Sequence, residues 1–253
     1  MIKISAVIIT LNEEQYIGQC LESLQGIADE IVVLDSYSTD QTQAICLRYG
    51  ARFAQQAFST YKQQKNDAIA LAQYDYILSL DADECLSHEL RQSILAIKQN
   101  CLFDCYSFNR LNNFCGYWVR YGGWYPDRKM RLFHRNKASW AGGNPHEHLQ
   151  LQAGASHSLL KGDLWHYTVQ SIAQFTAQNN HYSTLQAQDM LKNGKKSVTW
   201  LHLLLKPMWR FISTYFLKLG CLDGKFGFII ACNAAHAVHL RYAKLLELSK
   251  PKM

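Results

Sequence analysis

No stretch of this 253-residue chain is apolar for long enough to cross a bilayer, which takes about 20 residues in a helix. The first ten residues are apolar, but they run directly into Glu13 and Glu14. They read as a buried first strand and not as a signal peptide. The chain has no low-complexity tract and no internal repeat, which speaks against a disordered or solenoid protein. Its eight cysteines include no Cys-x-x-Cys pair; with no signal peptide, reduced thiols in a cytosol are the expected state. Pro145-His146-Glu147-His148 is not a His-Glu-x-x-His motif, and no second cluster has ligand spacing, which argues against zinc. No nucleic-acid motif accompanies the basic residues, so a nucleic-acid partner is not expected.

What is present is the composition of a folded protein, 48% apolar and 18% charged. The length fits one large domain, or one domain with an appendage. The net charge of +6 is unevenly placed. From residue 200 onward there are eight basic and two acidic side chains, so the preceding 199 residues balance to zero.

Strand and helix signals alternate at short intervals. Ile4–Thr10 is β-branched and apolar. Asn12 and Gln15 resemble a capping box, followed by Ile17, Cys20, Leu21 and Leu24 at helical spacing. A second buried strand covers residues 30–34 and ends at Asp35; Asp40 and Gln43 open a helix that Gly50 closes. Residues 62–72 form a third helix. Ser87 caps another, to about Lys98, and residues 103–108 form a further strand. This order predicts an α/β protein with a mostly parallel, doubly wound sheet. Residues 109–148 are irregular, aromatic and rich in glycine, as binding loops often are.

The strand Tyr74-Asp75-Tyr76-Ile77-Leu78-Ser79-Leu80 ends in Asp81-Ala82-Asp83. In an extended segment side chains i and i+2 point the same way, so Asp81 and Asp83 are expected to converge. Carboxylates at the C-terminal edge of such a sheet suit a divalent cation shared with phosphates. The plainer reading is an acidic turn.

Three segments resemble family 2 glycosyltransferases, which have the GT-A fold. They are Val7-Ile8-Ile9-Thr10-Leu11-Asn12-Glu13-Glu14, Val32-Val33-Leu34-Asp35-Ser36-Tyr37-Ser38-Thr39-Asp40 and Leu80-Asp81-Ala82-Asp83-Glu84. Arg131-Leu132-Phe133, Pro145-His146-Glu147-His148 and Leu219-Gly220-Cys221-Leu222-Asp223-Gly224 resemble the branch containing bacterial lipopolysaccharide inner-core β-1,4-glucosyltransferases. Two departures stand out: Ser36 follows Asp35 where a second acid is common, and Tyr37 stands where glycine is usual.

The resemblance implies a GT-A catalytic domain over residues 1–195. It also implies a metal-dependent, inverting transfer of a hexose, glucose first, from a UDP-sugar to an inner-core acceptor. Thr10, Asn12 and Glu13 would line the base and ribose. Asp35 would meet the uracil edge, and Lys65 the base or diphosphate. Asp81 and Asp83 would serve Mg²⁺ or Mn²⁺, with His166 as a third ligand. The plainer alternatives are a helix cap for Asn12, a solvated lysine for Lys65 and a core histidine for His166.

Glu147 is the candidate general base, with Asp127 as the fallback; the competing role for Glu147 is an ion pair with His146, His148 or Arg131. Trp118, Trp124, Tyr125 and Trp140 are candidates to stack on acceptor sugars, or are core. Arg120, Arg128 and Arg131 suit acceptor phosphates.

Residues 201–219 read as one helix with His202, Lys206, Arg210 and Ser213 on one stripe. The extension 196–253 is thus a basic amphipathic helical segment. It either lies on an anionic membrane surface, at the inner face of the cytoplasmic membrane, or packs on the catalytic domain. Alternatives to the inner-core acceptor are polyprenyl phosphate and a capsular glycan. A non-catalytic nucleotide-binding protein at the membrane is the reading from another class.

Overall fold

The computed structural model describes residues 1–143, 147–195 and 197–249. The first half alternates strand and helix: β1 (Ile4–Thr10), α1 (Ile17–Leu24), β2 (Glu30–Asp35), α2 (Thr42–Arg48), β3 (Arg52–Gln55), α3 (Tyr61–Leu71) and β4 (Tyr76–Asp81). Then come β5 (Glu84–Leu86), α4 (His88–Gln99), β6 (Cys105–Phe114), β7 (Tyr117–Val119), β8 (Asp127–His134), β9 (Ala138–Ala141), β10 (His148–Leu151) and β11 (His157–Val169). The helices α5 (Ile172–Lys192), α6 (Lys206–Ile212) and α7 (Gly224–Leu248) complete the chain.

The main sheet runs β3-β2-β1-β4-β8-β6-β11-β5, with β7 paired to β6. Its first four strands are parallel; β8 then pairs antiparallel to β4, and β6 antiparallel to β8. This is the expected α/β, GT-A-type architecture, with a C-terminal helical region. β9 and β10 form a separate antiparallel pair.

The apolar runs of β1, β2 and β4 are covered on both faces, as parallel strands require. Ile4, Ala6 and Ile8 pack with Ile17, Leu21 and Leu24 of α1 and with Leu90 and Ile94 of α4. Val7 and Val32 face the other way, toward Ala68 of α3, Ile77 and Phe133. Ser87 caps α4 as expected, its hydroxyl accepting from Leu90 N at 3.2 Å.

Three expectations change. The Asn12/Gln15 capping box does not form: α1 starts at Ile17, after Tyr16, with no side-chain cap. Residues 109–148 are largely strand. Their pattern was hidden because β8 carries Arg128, Lys129 and Arg131 among its apolar residues, so no clean alternation appears. The helix expected at 201–219 forms as a continuous run that ends at Leu217, and π-helical turns at Leu201–Leu205 and Ser213–Leu217 flank α6. Pro207, which has no N–H to donate, sits at the start of α6.

The chain divides into two compact units, one of residues 1–110 with 127–167, the other of 111–126 with 168–253. The division expected at 195/196 therefore differs from this one. Residues 111–126 and 168–195 share their unit with the C-terminal helices, because Phe114, Val119, Val169 and Ile230 form one core with Trp124, Phe175 and Phe226. Asp223, buried before α7, accepts from Tyr121 N at 2.8 Å, Arg120 N at 3.2 Å and Tyr117 Oη at 3.2 Å. This gives the Leu219–Gly224 motif a structural role.

Gly227 of α7 packs directly on the Gly220 carbonyl, and a Cβ there would overlap it. Gly227→Ala is expected to cost about 3 kcal/mol or more, since neither backbone can yield cheaply. Urea unfolding of the full chain measures this.

Candidate functional site

Register brings the C-terminal ends of three strands together. Thr10 of β1 is opposite Asp35 of β2, and Ile9 is opposite Asp81 of β4. This edge is where open α/β sheets bind ligands. Thr10 is buried, and its hydroxyl has no partner among the described residues. Asp35 is wholly buried; its carboxylate accepts from Ser38 N at 2.8 Å, Gln55 Nε2 at 3.0 Å and the Ser38 hydroxyl. Asn12 accepts from Thr39 N at 2.8 Å, and its own N–H donates to Ser38 Oγ at 2.8 Å. In this structure Asp35 and Asn12 build the 36–39 loop, because that loop supplies the donors their side chains need.

Tyr37, at the tip of this loop, holds φ +64° and is 57% exposed. A left-handed backbone explains why glycine is usual at the position, and the exposed ring explains how tyrosine is tolerated. Glu13 donates its N–H to Thr42 Oγ1 at 2.9 Å. Burial, then the nearby carboxylates of Asp83 and Asp40, push its carboxyl up from 4.5 to about 7.

The two aspartates take different partners. β4 ends at Asp81, and residues 82–83 form a turn, so the extended-strand geometry stops one residue too early. Asp81 turns to cations: Lys65 Nζ at 2.9 Å and Arg131 Nη2 at 2.8 Å. Burial alone would raise its carboxyl; the charges of Lys65 and Arg131 outweigh that and hold it well below the usual range. Asp83 instead pairs with His166 Nε2 at 3.2 Å. Among the described residues no three His, Cys, Asp or Glu side chains gather tightly enough to hold a metal. Of the expected set of Asp81, Asp83 and His166, Asp81 is thus paired with Lys65 and Arg131, while Asp83 and His166 lie side by side.

From Asp81 a chain of alternating charge runs inward. Arg131, nearly fully buried, also meets Glu84 Oε1 at 2.7 Å. Glu84 is wholly buried and receives Arg110 Nη1 at 3.2 Å; Arg110 Nη2 reaches Asp127 at 2.8 Å, and Asp127 reaches Lys129 at 3.0 Å. Burial would raise Glu84, and Arg131 chiefly brings it below its usual value. The indole of Trp140 lies under both central cations, 4.4 Å from Lys65 Nζ and 5.4 Å from Arg131 Cζ. The roles of Glu84, Arg110 and Trp140 were missed. The third acid in Asp81-Ala82-Asp83-Glu84 was the one visible sign of them.

Lys65, Asp81, Arg110, Arg131 and Trp140 wall a cavity of about 440 Å³, lined also by Arg128, Glu147 and His148. Glu147 Oε1 is 3.7 Å from Lys65 Nζ, and its buried Oε2 has no partner among the described residues. Its ion pair is with Lys65, and His146 lies outside the described residues. Lys65, expected on the diphosphate or in solvent, is buried between two carboxylates. Arg131 pairs with Asp81 and Glu84, and Asp127 with Arg110 and Lys129. Trp124 packs against Phe114 and Phe175 in the second unit's core, the alternative place expected for it beside acceptor sugar. Arg128 alone of the three expected acceptor residues stands exposed at the cavity.

The donor chemistry suits a divalent cation at Asp83 and His166: a partly exposed carboxylate beside an imidazole.

The family model described as Glycosyl transferase family 2 matches residues 5–160. An uncharacterized glycosyltransferase of Rickettsia typhi is 33% identical over 98% of this chain and 88% of its own length. The lipopolysaccharide core biosynthesis glycosyltransferase LpsC of Rhizobium meliloti is 30% identical over 96% of this chain and 92% of its own. Among solved structures, S. aureus TarS 1-349 in complex with UDP gives a TM-score of 0.49 at 17% identity, covering 97% of this chain and 90% of that one.

Asp81→Asn would leave Lys65 and Arg131 short of a counter-charge. It is expected to cost about 2 kcal/mol in urea unfolding, less than for a fully buried pair because the Asp81 side chain is 27% exposed. Glu13 gives a pH signature. Its folded form holds a proton that the unfolded chain releases between 4.5 and about 7. The contribution is therefore present at low pH and is lost as pH rises through about 7. Thermal midpoints measured with chelator should fall across that window, and Glu13→Gln should flatten the fall.

Proposed function

This chain belongs to glycosyl transferase family 2, and from that premise we propose that it moves a hexose, glucose foremost, from a UDP-sugar to an acceptor in the lipopolysaccharide inner core. The reaction is a single inverting displacement. Full-length similarity to a core-biosynthesis transferase supports the acceptor class. The exposed Arg128, with Lys129 and His148 on the same cavity, suits an acceptor that carries phosphate.

The observation that carries the reading is Glu147. One of its carboxylate oxygens is buried and unpartnered, in a cavity whose wall also holds Lys65 and Asp81. Glu147 takes the proton from the acceptor hydroxyl as that oxygen bonds to the anomeric carbon. The bond from that carbon to the diphosphate oxygen breaks, and its electron pair leaves with UDP. Lys65, fixed by Asp81, offers positive charge at the same wall. Asp83 and His166 would hold Mg²⁺ or Mn²⁺, which supplies charge against the departing diphosphate. Thr10, with its unpartnered hydroxyl, and Glu13 face the nucleoside. The protein works peripherally at the inner face of the cytoplasmic membrane, through the basic helices of its second unit.

UDP-sugar turnover on truncated core acceptors tests this. Glu147→Gln is expected to lower kcat by about 100-fold or more while UDP affinity changes by less than about 3-fold. Asp83→Ala is expected to abolish the loss of activity that chelator causes in the parent protein. Full turnover by Glu147→Gln would remove the proposed base.

A further inference from the structure

The second unit contains a cavity of about 650 Å³ that the proposed transfer does not use. Its walls come from α5, α6 and α7, with Trp124 from the segment before β8. Phe175 and Ile230, both part of that unit's apolar core, line one side. Lys206, Arg210 and Arg241 supply charge, and no Asp or Glu lines the cavity. Among the described residues every ion pair lies in the first unit, so these cations are uncompensated.

Lys206 Nζ donates to Tyr242 Oη at 2.8 Å, and Arg241 Cζ stands 5.0 Å from the centre of the same ring. Burial alone would raise the Tyr242 phenol; the Lys206 hydrogen bond and the Arg241 charge hold it below its ordinary value. Two cations thus share one phenol. Arg241 Nη1 donates to Gln186 at 3.2 Å, while its buried Nε has no acceptor. Lys244, one turn further along α7, is held by neutral oxygens of Asn180, Ser183 and Thr184. A buried donor without an acceptor is costly, and neighbouring like charges repel. An anion in the cavity relieves both.

One wall continues onto exposed apolar surface. Trp209 lines the cavity and is 61% exposed. Along the same helical run Leu204, Met208, Phe216 and Leu217 each expose more than half of their surface. A cationic recess bordered by exposed apolar side chains fits an amphiphile better than a free ion.

We propose that this cavity receives the phosphate headgroup of an anionic membrane phospholipid, while the exposed face of residues 201–217 rests in the bilayer interface. The proposal depends on the reading that the protein works at a membrane surface, and it names the site responsible.

The test uses the full chain. Co-sedimentation is measured with vesicles of phosphatidylcholine alone or mixed with phosphatidylglycerol. Thermal midpoints are measured with dihexanoyl-phosphatidylglycerol below its micellar concentration, and with inorganic phosphate. The parent protein is expected to pellet only with phosphatidylglycerol present, and only the short-chain lipid should raise its midpoint. Lys206→Gln with Arg241→Gln should weaken pelleting about 10-fold or more and remove the midpoint shift. Lys218→Gln with Lys225→Gln, which removes equal charge outside the cavity, should change pelleting by less than about 3-fold.

Equal weakening by both pairs would overturn the cavity and leave the membrane reading standing. Protection by short-chain lipid without vesicle binding would do the reverse. Equal protection by inorganic phosphate, or no protection by either compound, overturns the proposal. Should the cavity pair fail to fold, Arg210→Gln, at an exposed position, takes its place and should weaken pelleting in the same direction.

Discussion

Two buried cations, Lys65 and Arg131, share the Asp81 carboxylate above the face of Trp140. Each member comes from a different element: α3, β8, β4 and β9. Glu84 and Arg110 extend the contact to β5 and β6. Buried charges stabilise only when all partners are in place, because each ion gives up its hydration. The network therefore registers five strands and a helix at one point, and that point is the cavity wall. A site whose charges are already fixed by the fold does not have to reorganise them during a reaction.

The parallel half of the fold was legible because its strands are covered on both faces. β1, β2 and β4 must be apolar throughout, and such runs are visible without knowledge of partners. The antiparallel half was not. Arg131 and Lys129 occupy strand positions that a simple pattern assigns to loops, and for Arg131 only the ion pairs with Asp81 and Glu84, distant in sequence, make the position favourable. Of the candidate site, Thr10, Glu13, Asp81, Asp83, Glu147 and His166 were all named from their motifs. Their geometry was not legible: whether an aspartate meets a cation or another acid depends on where a strand stops. β4 stops at Asp81, and that one residue separates the roles of Asp81 and Asp83.

The same limit applies to the second unit. The basic, apolar composition of residues 200–253 was plain, but its partners were not. Residues 111–126 lie within the glycine-rich stretch, and only the fold joins Phe114 and Val119 to Ile230 and Phe226.

That joining governs how the protein can be divided. The second unit takes residues 111–126 from the middle of the chain, so no single cut yields it whole, and no contiguous gene fragment encodes it. A shortened clone ending before α7 would strip Phe226 and Ile230 from a core that Phe114, Val119 and Val169 still expose. Such a clone would be sticky and poorly expressed for reasons unconnected with membranes or catalysis, so dissection of this protein has to proceed by point substitution.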